Sequence, residues 1–182
     1  MNHYYQDVAG WFDWEDVYRQ AVAEAPPDAV LVEVGCWEGK SMSFLLVEMV
    51  NSGKRCKVYG VDHFKGGEEQ WMKDRAANYP IRDNCLRNCR RAGYDGFQMI
   101  EEPSVEAAKR FKDGSVWFCF IDASHDPASV RADLKAWVPK MRKGGWIAGH
   151  DWGCHGVVDA VDEAFGRERI VERPPSSWEV QL

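Results

Sequence analysis

Hydrophobic positions along the chain alternate between the roughly 3.6-residue spacing of amphipathic helices and short unbroken apolar runs that suit strands buried on both faces. Trp14, Val17, Tyr18, Ala21 and Val22 predict a helix over 13–25, capped by Asp13 and stopped by Pro26 and Pro27. Ala29 to Val32 reads as a strand, the stretch from Gly35 to Gly39 as a glycine turn, and Ser41 to Val50 as a second helix. Lys57 to Val61 continues as a strand, and 68–92 as a long, polar, mostly helical segment broken near Pro80. Phe97 to Ile100 is a third strand, and Pro103 opens a helix through Val105 to Phe111. Val116 to Ile121 is the most apolar run, as a central parallel strand should be. Pro127 begins a helix reaching about Val138, Gly144 and Gly145 turn the chain, and Trp146 to Ala148 forms a fifth strand. A helix over 157–165 and short strands at 169–172 and 178–181 complete the pattern. Repeated βα units closed by a hairpin predict an α/β sandwich and exclude a barrel.

Composition narrows the class. The chain has 182 residues, 45% of them hydrophobic and 29% charged, which suits one globular domain over 1–182 that needs no disulfide or metal staple. Six scattered cysteines with no CxxC pair predict reduced thiols, and the opening residues lack the character of a secretion signal, so a cytoplasmic location is expected. No apolar run is long enough to span a membrane. A net charge of −6 disfavours a nucleic-acid partner.

Ligands of open α/β sheets sit beyond the carboxyl ends of the strands. Those positions are polar here: Glu33 and the Gly35–Gly39 loop, Asp62 and His63, Glu101 to Ser104, Asp122, then His150 and Asp151. A glycine turn entering a helix lets backbone N–H groups approach an anionic ligand group, and an acid closing the second strand suits a ribose diol. Two nucleotide schemes fail on spacing. The Gly35-to-Ser41 segment has one residue too few between its glycines for a P-loop, and Trp37 stands where a dinucleotide fingerprint needs its second glycine. Cys85 and Cys89 lie one helical turn apart but lack the further donors a structural zinc requires. Arg82, Arg87, Arg90 and Arg91 form a basic stretch that is either a solvated face or a clamp for an anionic acceptor.

The segments Val32 to Ser41, Tyr59 to Asp62, Phe120 to His125 with Val130 to Asp133, and Gly144 to Trp152 resemble those of small class I S-adenosylmethionine-dependent methyltransferases. Within that superfamily they are most similar to the group related to macrocin-type O-methyltransferases and cephalosporin-hydroxylase-like proteins, from about residue 11 to the end. The resemblance implies a Rossmann-like three-layer sandwich around a seven-stranded, mostly parallel sheet in the order 3-2-1-4-5-7-6, with strand 7 antiparallel. It implies S-adenosylmethionine as cofactor, with Glu33, Gly35, Cys36, Trp37 and Gly39 around the methionine part, Asp62 on the ribose and His63 beside it. Ser104 and Val105 would flank the adenine, and Asp122 would lie near the cofactor's amino end or a metal.

For chemistry, two schemes are open. Asp122, His150 and Asp151 bind a divalent cation, magnesium or a softer ion, that orients the acceptor and lowers its pKa; or His125 or His150 is a metal-free general base. His125 could instead cap the helix at Pro127. The expected activity is O-methylation of a small-molecule acceptor. The alternative is a protein of the same fold that binds the cofactor or a partner without transfer. A homodimer stays open. Acceptor selection is expected from the N-terminal helix, from the insert at 64–96 acting as a lid, and from the loop after Asp151. Of nine tryptophans, Trp37 and Trp152 fall in rim loops, whereas Trp117 and Trp146 are expected in the core.

Overall fold

A computed structural model describes residues 1–67 and 69–182; the start of the predicted 68–92 segment, Glu68, lies outside the described residues. Seven strands, β1 Val30–Val34, β2 Lys57–Val61, β3 Phe97–Ile100, β4 Val116–Ile121, β5 Met141–Gly149, β6 Val171–Arg173 and β7 Ser177–Gln181, form one sheet in the order β3-β2-β1-β4-β5-β7-β6. The first five run parallel, and β7 is antiparallel to both β5 and β6, which is the predicted topology.

Alternate residues of the central strands face opposite layers. Leu31, Phe118 and Phe120 pack with buried residues of α1 Glu15–Glu24, α2 Lys40–Ser52 and α4 Ile81–Arg90. Val32, Cys119 and Ile121 pack on the other side with α5 Ser104–Ala108, α6 Pro127–Trp137 and α7 His155–Phe165. Between β2 and α4 the polar helix α3 Gln70–Asn78 buries no side chain, and the break before α4 falls at Pro80, as its sequence predicts. No helix among the described residues is long and apolar enough to cross a membrane.

Two local expectations need correction. Asp13 does not cap α1: the N-cap is Trp14, with no side-chain cap bond, and Asp13 turns toward His150. Gly144 and Gly145 do not precede the fifth strand but lie within β5, where the register against β4 slips between Val116 and Phe118. A Cβ on Gly145 would stand 2.5 Å from the Trp117 carbonyl oxygen, so only glycine lets the irregular strand pass this close. Trp146 is buried in the core as expected, and Trp117, partly exposed beneath the Arg142 guanidinium, packs against the same core.

Candidate active site

A cavity of about 710 Å³ opens at the carboxyl ends of β1 to β5. Its β1 side is the loop from Gly35 to Trp37. Gly35 has φ +90°, and a Cβ there would fall 1.9 Å from the Asp122 carbonyl oxygen, so the adjacent strand end dictates the glycine. Asp62 organises the loop. One carboxylate oxygen accepts from the backbone N–H groups of Cys36 and Trp37, each at 2.9 Å, and the other accepts from Phe64 N–H at 2.7 Å. Those bonds hold Trp37 (φ +49°) and Phe64 (φ +57°) in left-handed conformations that side chains of this size seldom adopt.

Beneath the loop lies a buried polar layer. Glu33 is fully buried and accepts from the Tyr18 hydroxyl at 2.5 Å and the Ser41 hydroxyl at 2.9 Å. Burial pushes its carboxyl up to about 8 despite those two donors. Glu38, only 4% exposed, accepts from Arg75 Nε at 2.9 Å and Asn84 Nδ2 at 2.8 Å, and its carbonyl accepts from Asn88 Nδ2. One acid therefore ties the glycine loop to both α3 and α4.

Charged side chains gather at the ends of β4 and β5. Asp151 Oδ2 lies 2.7 Å from His125 Nε2 and 3.2 Å from His150 Nδ1, and His150 Nδ1 lies 3.5 Å from Asp122 Oδ1. On its far side, His150 Nε2 meets Asp13 Oδ1 at 3.1 Å and the Ser176 hydroxyl at 2.7 Å. Burial opposes the imidazolium of His150, but contact with Asp122 and Asp151 prevails and raises it to about 10. His125 is raised by its bond to Asp151. Burial also opposes the ionised form of Asp151, yet the two imidazoles hold its carboxyl well below the usual carboxylate range. Burial raises Asp122. The result is an anionic Asp151 between two imidazolium-favouring rings, with Asp122 the carboxyl of highest proton affinity in the cluster.

Among the described residues, one potential metal-ligand group emerges: Asp122, His125 and Asp151, with donor atoms all within 4.8 Å of one another. The sequence expectation names His150 in that set instead, and His150 Nδ1 also lies beside both carboxylates. Asp126 caps α6 by accepting from Ser129 N–H at 3.0 Å, which leaves His125 available to the cluster.

The model of the family described as "Methyltransferase domain" matches residues 32–152, more than half of the chain. The chain belongs to that methyltransferase family. Its fold resembles that of the O-methyltransferase NovP at 18% identity and TM-score 0.72, over 92% of this chain and 78% of that one. It also resembles the calicheamicin methyltransferase CalS11 at 14% identity and TM-score 0.71, over 92% and 77%. An rRNA methylase from Streptococcus thermophilus matches at 14% identity and TM-score 0.60, over 96% and 98%. No curated protein sequence matches.

Most residues singled out in the sequence line the methyltransferase cavity: Gly35, Cys36, Trp37, Asp62, His63, Ser104, Val105, Asp122, His125, His150 and Asp151. Glu33 and Gly39 do not; Glu33 lies under the loop, and Gly39 (φ +84°) begins α2 where a Cβ would crowd the thiols of Cys85 and Cys89 at 3.2 Å. Those thiols are free, buried and 4.0 Å apart. None of Arg82, Arg87, Arg90 and Arg91 lines the cavity; Arg82 pairs with Glu101, and Arg91 lies over Tyr4. Trp152 packs under Arg167, not into the cavity.

Several lining residues carried no sequence assignment. Trp11 and Trp71 stand at the mouth with ring centroids 5.7 Å apart, and Trp71 lies 6.1 Å from Trp37. Asp133 is 5% exposed yet lines the cavity, and an acid on the apolar face of a helix is a signal the pattern did contain.

Proposed function

We propose that this methyltransferase moves the methyl group of S-adenosylmethionine to a hydroxyl of a small-molecule acceptor. The observation that carries the proposal is the convergence of Asp122, His125, His150 and Asp151 beside a cavity whose other wall is the Asp62-organised glycine loop. The residues fit the cofactor: the cavity combines backbone-lined glycine turns, a strand-end acid for ribose hydroxyls, and a wall of Pro103, Ser104, Val105 and Ala132 suited to a purine. Gly35 to Trp37 would hold the methionine part, Asp62 the ribose with His63 beside it, and Ser104 and Val105 the adenine. Glu33 and Gly39 support the loop from below. When bound, the cofactor supplies an electrophilic methyl group on a sulfonium.

The chain's own task is to align the acceptor and take its proton. Despite burial, contact with Asp122 and Asp151 raises His150 to about 10, and the bond to Asp151 raises His125, so both rings are weak proton acceptors and Asp122 is assigned as the base, with His150 holding it by charge and hydrogen bonding. Two carboxylates and one imidazole also form a donor set for a divalent cation, which Asp122, His125 and Asp151 would hold and which would lower the acceptor's pKa. Such an ion requires neutral His125, so its affinity rises with pH. Gly66, Gly67, Glu69, Trp71, Met72 and Lys73 line the cavity, and the insert at 64–96 to which they belong serves as the lid. A net charge of −6 favours a small acceptor over RNA.

Calorimetry with S-adenosylmethionine tests the cofactor assignment: binding to the wild type and its loss in Asp62→Ala are expected, whereas ATP binding without response to S-adenosylmethionine overturns it. A titration with Mn²⁺ alone tests the cation. Asp151→Asn should weaken Mn²⁺ binding at least about tenfold, and an equal affinity removes the metal from the scheme. A labelled-cofactor screen over phenolic, sugar and small-acid acceptors tests transfer itself; binding with no transfer across all classes favours a non-transferring binder.

A further inference from the structure

Cys85, Cys89 and Met99 have no part in the scheme above, yet the backbone makes room for their sulfur atoms at two glycines. A Cβ on Gly39, where α2 begins, would stand 3.2 Å from both the Cys85 and the Cys89 thiols of α4. A Cβ on Gly60 of β2 would stand 2.9 Å from Cys36 Sγ and 3.2 Å from Met99 Sδ on the neighbouring edge strand β3. Cys89 and Met99 both line a second cavity, of about 370 Å³, distinct from the methyltransferase cavity. That cavity is the approach to an otherwise buried thiol pair. Cys36 stays apart from the pair, its thiol turned to the carbonyls of Glu33 and Val61 at 3.7 and 3.8 Å.

A disulfide does not suit this pair. Cβ atoms one helical turn apart are about 5–6 Å from each other, against about 3.5–4.5 Å in a disulfide, so an intact α4 keeps the sulfurs from bonding directly. The hydrogen bond from Cys89 and burial push the Cys85 thiol well above its ordinary value, which also makes it slow to oxidise. A shared ion fits better. Metal–sulfur bonds of about 2.3 Å meeting at about 120° set two thiolates about 4.0 Å apart, and the Cys85 and Cys89 sulfurs stand 4.0 Å apart. Structural zinc needs four donors, whereas a soft monovalent ion is satisfied by fewer, and thiolate with thioether selects Cu(I). We propose that Cys85 and Cys89 hold one Cu(I) ion, with the Met99 thioether as third donor, reached through the cavity that Cys89 and Met99 share. Each thiol releases its proton as its sulfur takes the ion, so two protons leave for each Cu(I) bound.

The test is an anaerobic titration of the reduced full chain with Cu(I) against the coloured chelator bicinchoninate. The wild type should take one equivalent of Cu(I) from the chelator. Cys85→Ser and Cys89→Ser should each lower the affinity at least about a hundredfold, more than the loss of an outer-shell partner costs, and Met99→Leu about tenfold. Cys154→Ser, at the exposed thiol, should leave it unchanged. X-ray absorption of the bound ion should show a shell of sulfur alone at about 2.3 Å. A wild type that yields all its copper to the chelator overturns the proposal. So does copper held equally by the Cys85 and Cys89 variants, or a shell with nitrogen or oxygen neighbours, which would place the ion at the Asp122 cluster. Should the serine variants not fold, Met99→Leu carries the test, and an unchanged affinity there removes the assigned third donor and the site with it.

Discussion

At the β1–β2 half of the rim, Asp62 collects backbone N–H groups from the Gly35–Trp37 loop and from Phe64 two residues on. At the β4–β5 half, His150 meets Asp13 across 137 residues of sequence, and Ser176 meets Asp13 across 163. The first half is a backbone cradle fixed by one acid. The second is a set of mutually dependent side chains, in which each charge sets the protonation of the next. A cradle built this way suits a ligand whose shape does not change, while a coupled cluster suits a proton that must move.

The largest expected effect falls on the coupled half. Asp122→Asn keeps the shape of the side chain and removes the proton acceptor, so methyl transfer should fall by about 10² to 10⁴ while S-adenosylmethionine affinity stays within about threefold. Calorimetry beside a labelled-cofactor assay separates the two, and a large loss of cofactor binding would erase the proposed division of labour between the halves.

On the cradle half, the matching break is Glu38→Ala. It strips the acceptor from Arg75 and Asn84 and unties α3 and α4 from the loop. Arg75 remains partly solvated, with its side chain 33% exposed, so the cost should be about 3 kcal/mol in urea unfolding, below the top of the range for a fully buried pair. Cofactor affinity should fall as well. A variant as stable as the wild type would show that the insert does not depend on this anchor.

Glu33 sharpens the comparison through pH. Its folded carboxyl titrates near 8, against an ordinary value of 4.5, so the folded state holds a proton that the unfolded state has released. That stabilisation is complete below about 4.5 and is lost as pH rises through 8. Between those limits, wild-type stability should decline by up to about 1.4 kcal/mol per pH unit relative to Glu33→Gln, read from urea midpoints. Parallel pH profiles would mean that the buried acid ionises in place at no cost.

How far each half was legible in the sequence follows from the same contrast. The strands, the loop and Asp62 could be read because a strand, a glycine turn and a strand-end acid are local patterns, whereas the sheet order was implied by the resemblance to class I methyltransferases. Asp122, His150 and Asp151 were also legible as strand-end positions. Their partners were not. Asp13 reads locally as a helix cap, and only the tertiary fold turns it toward His150. Ser176 belongs to a proline-flanked turn with no pattern that points across the sheet. His125 and His150 look equivalent as metal donors until Asp126 is seen to cap α6 and His150 to be engaged on its far side. Glu38 was hidden for a different reason: an acid in a turn is ordinarily solvated, and its burial comes from an insert whose packing has no periodic signature.

The smallest effect, and the finest probe of the coupled half, is expected at its outer clamp. Asp13 and Ser176 both face His150 Nε2, which directs Nδ1 to the carboxylates of Asp122 and Asp151. Asp13 is half solvated, its side chain 46% exposed, so Asp13→Asn should cost less than about 1 kcal/mol of stability. Ser176 would still hold one side of the ring. The more telling readout is the ¹⁵N spectrum of His150. In the wild type both ring nitrogens should remain protonated through neutral pH, and the midpoint of the His150 titration should move toward its ordinary value as Asp13→Asn and then Asp13→Asn with Ser176→Ala remove its far-side partners. If the His150 signal does not respond to either change, the N-terminal segment and the terminal hairpin are mere neighbours of the cluster, and Asp122 and Asp151 alone govern its charge.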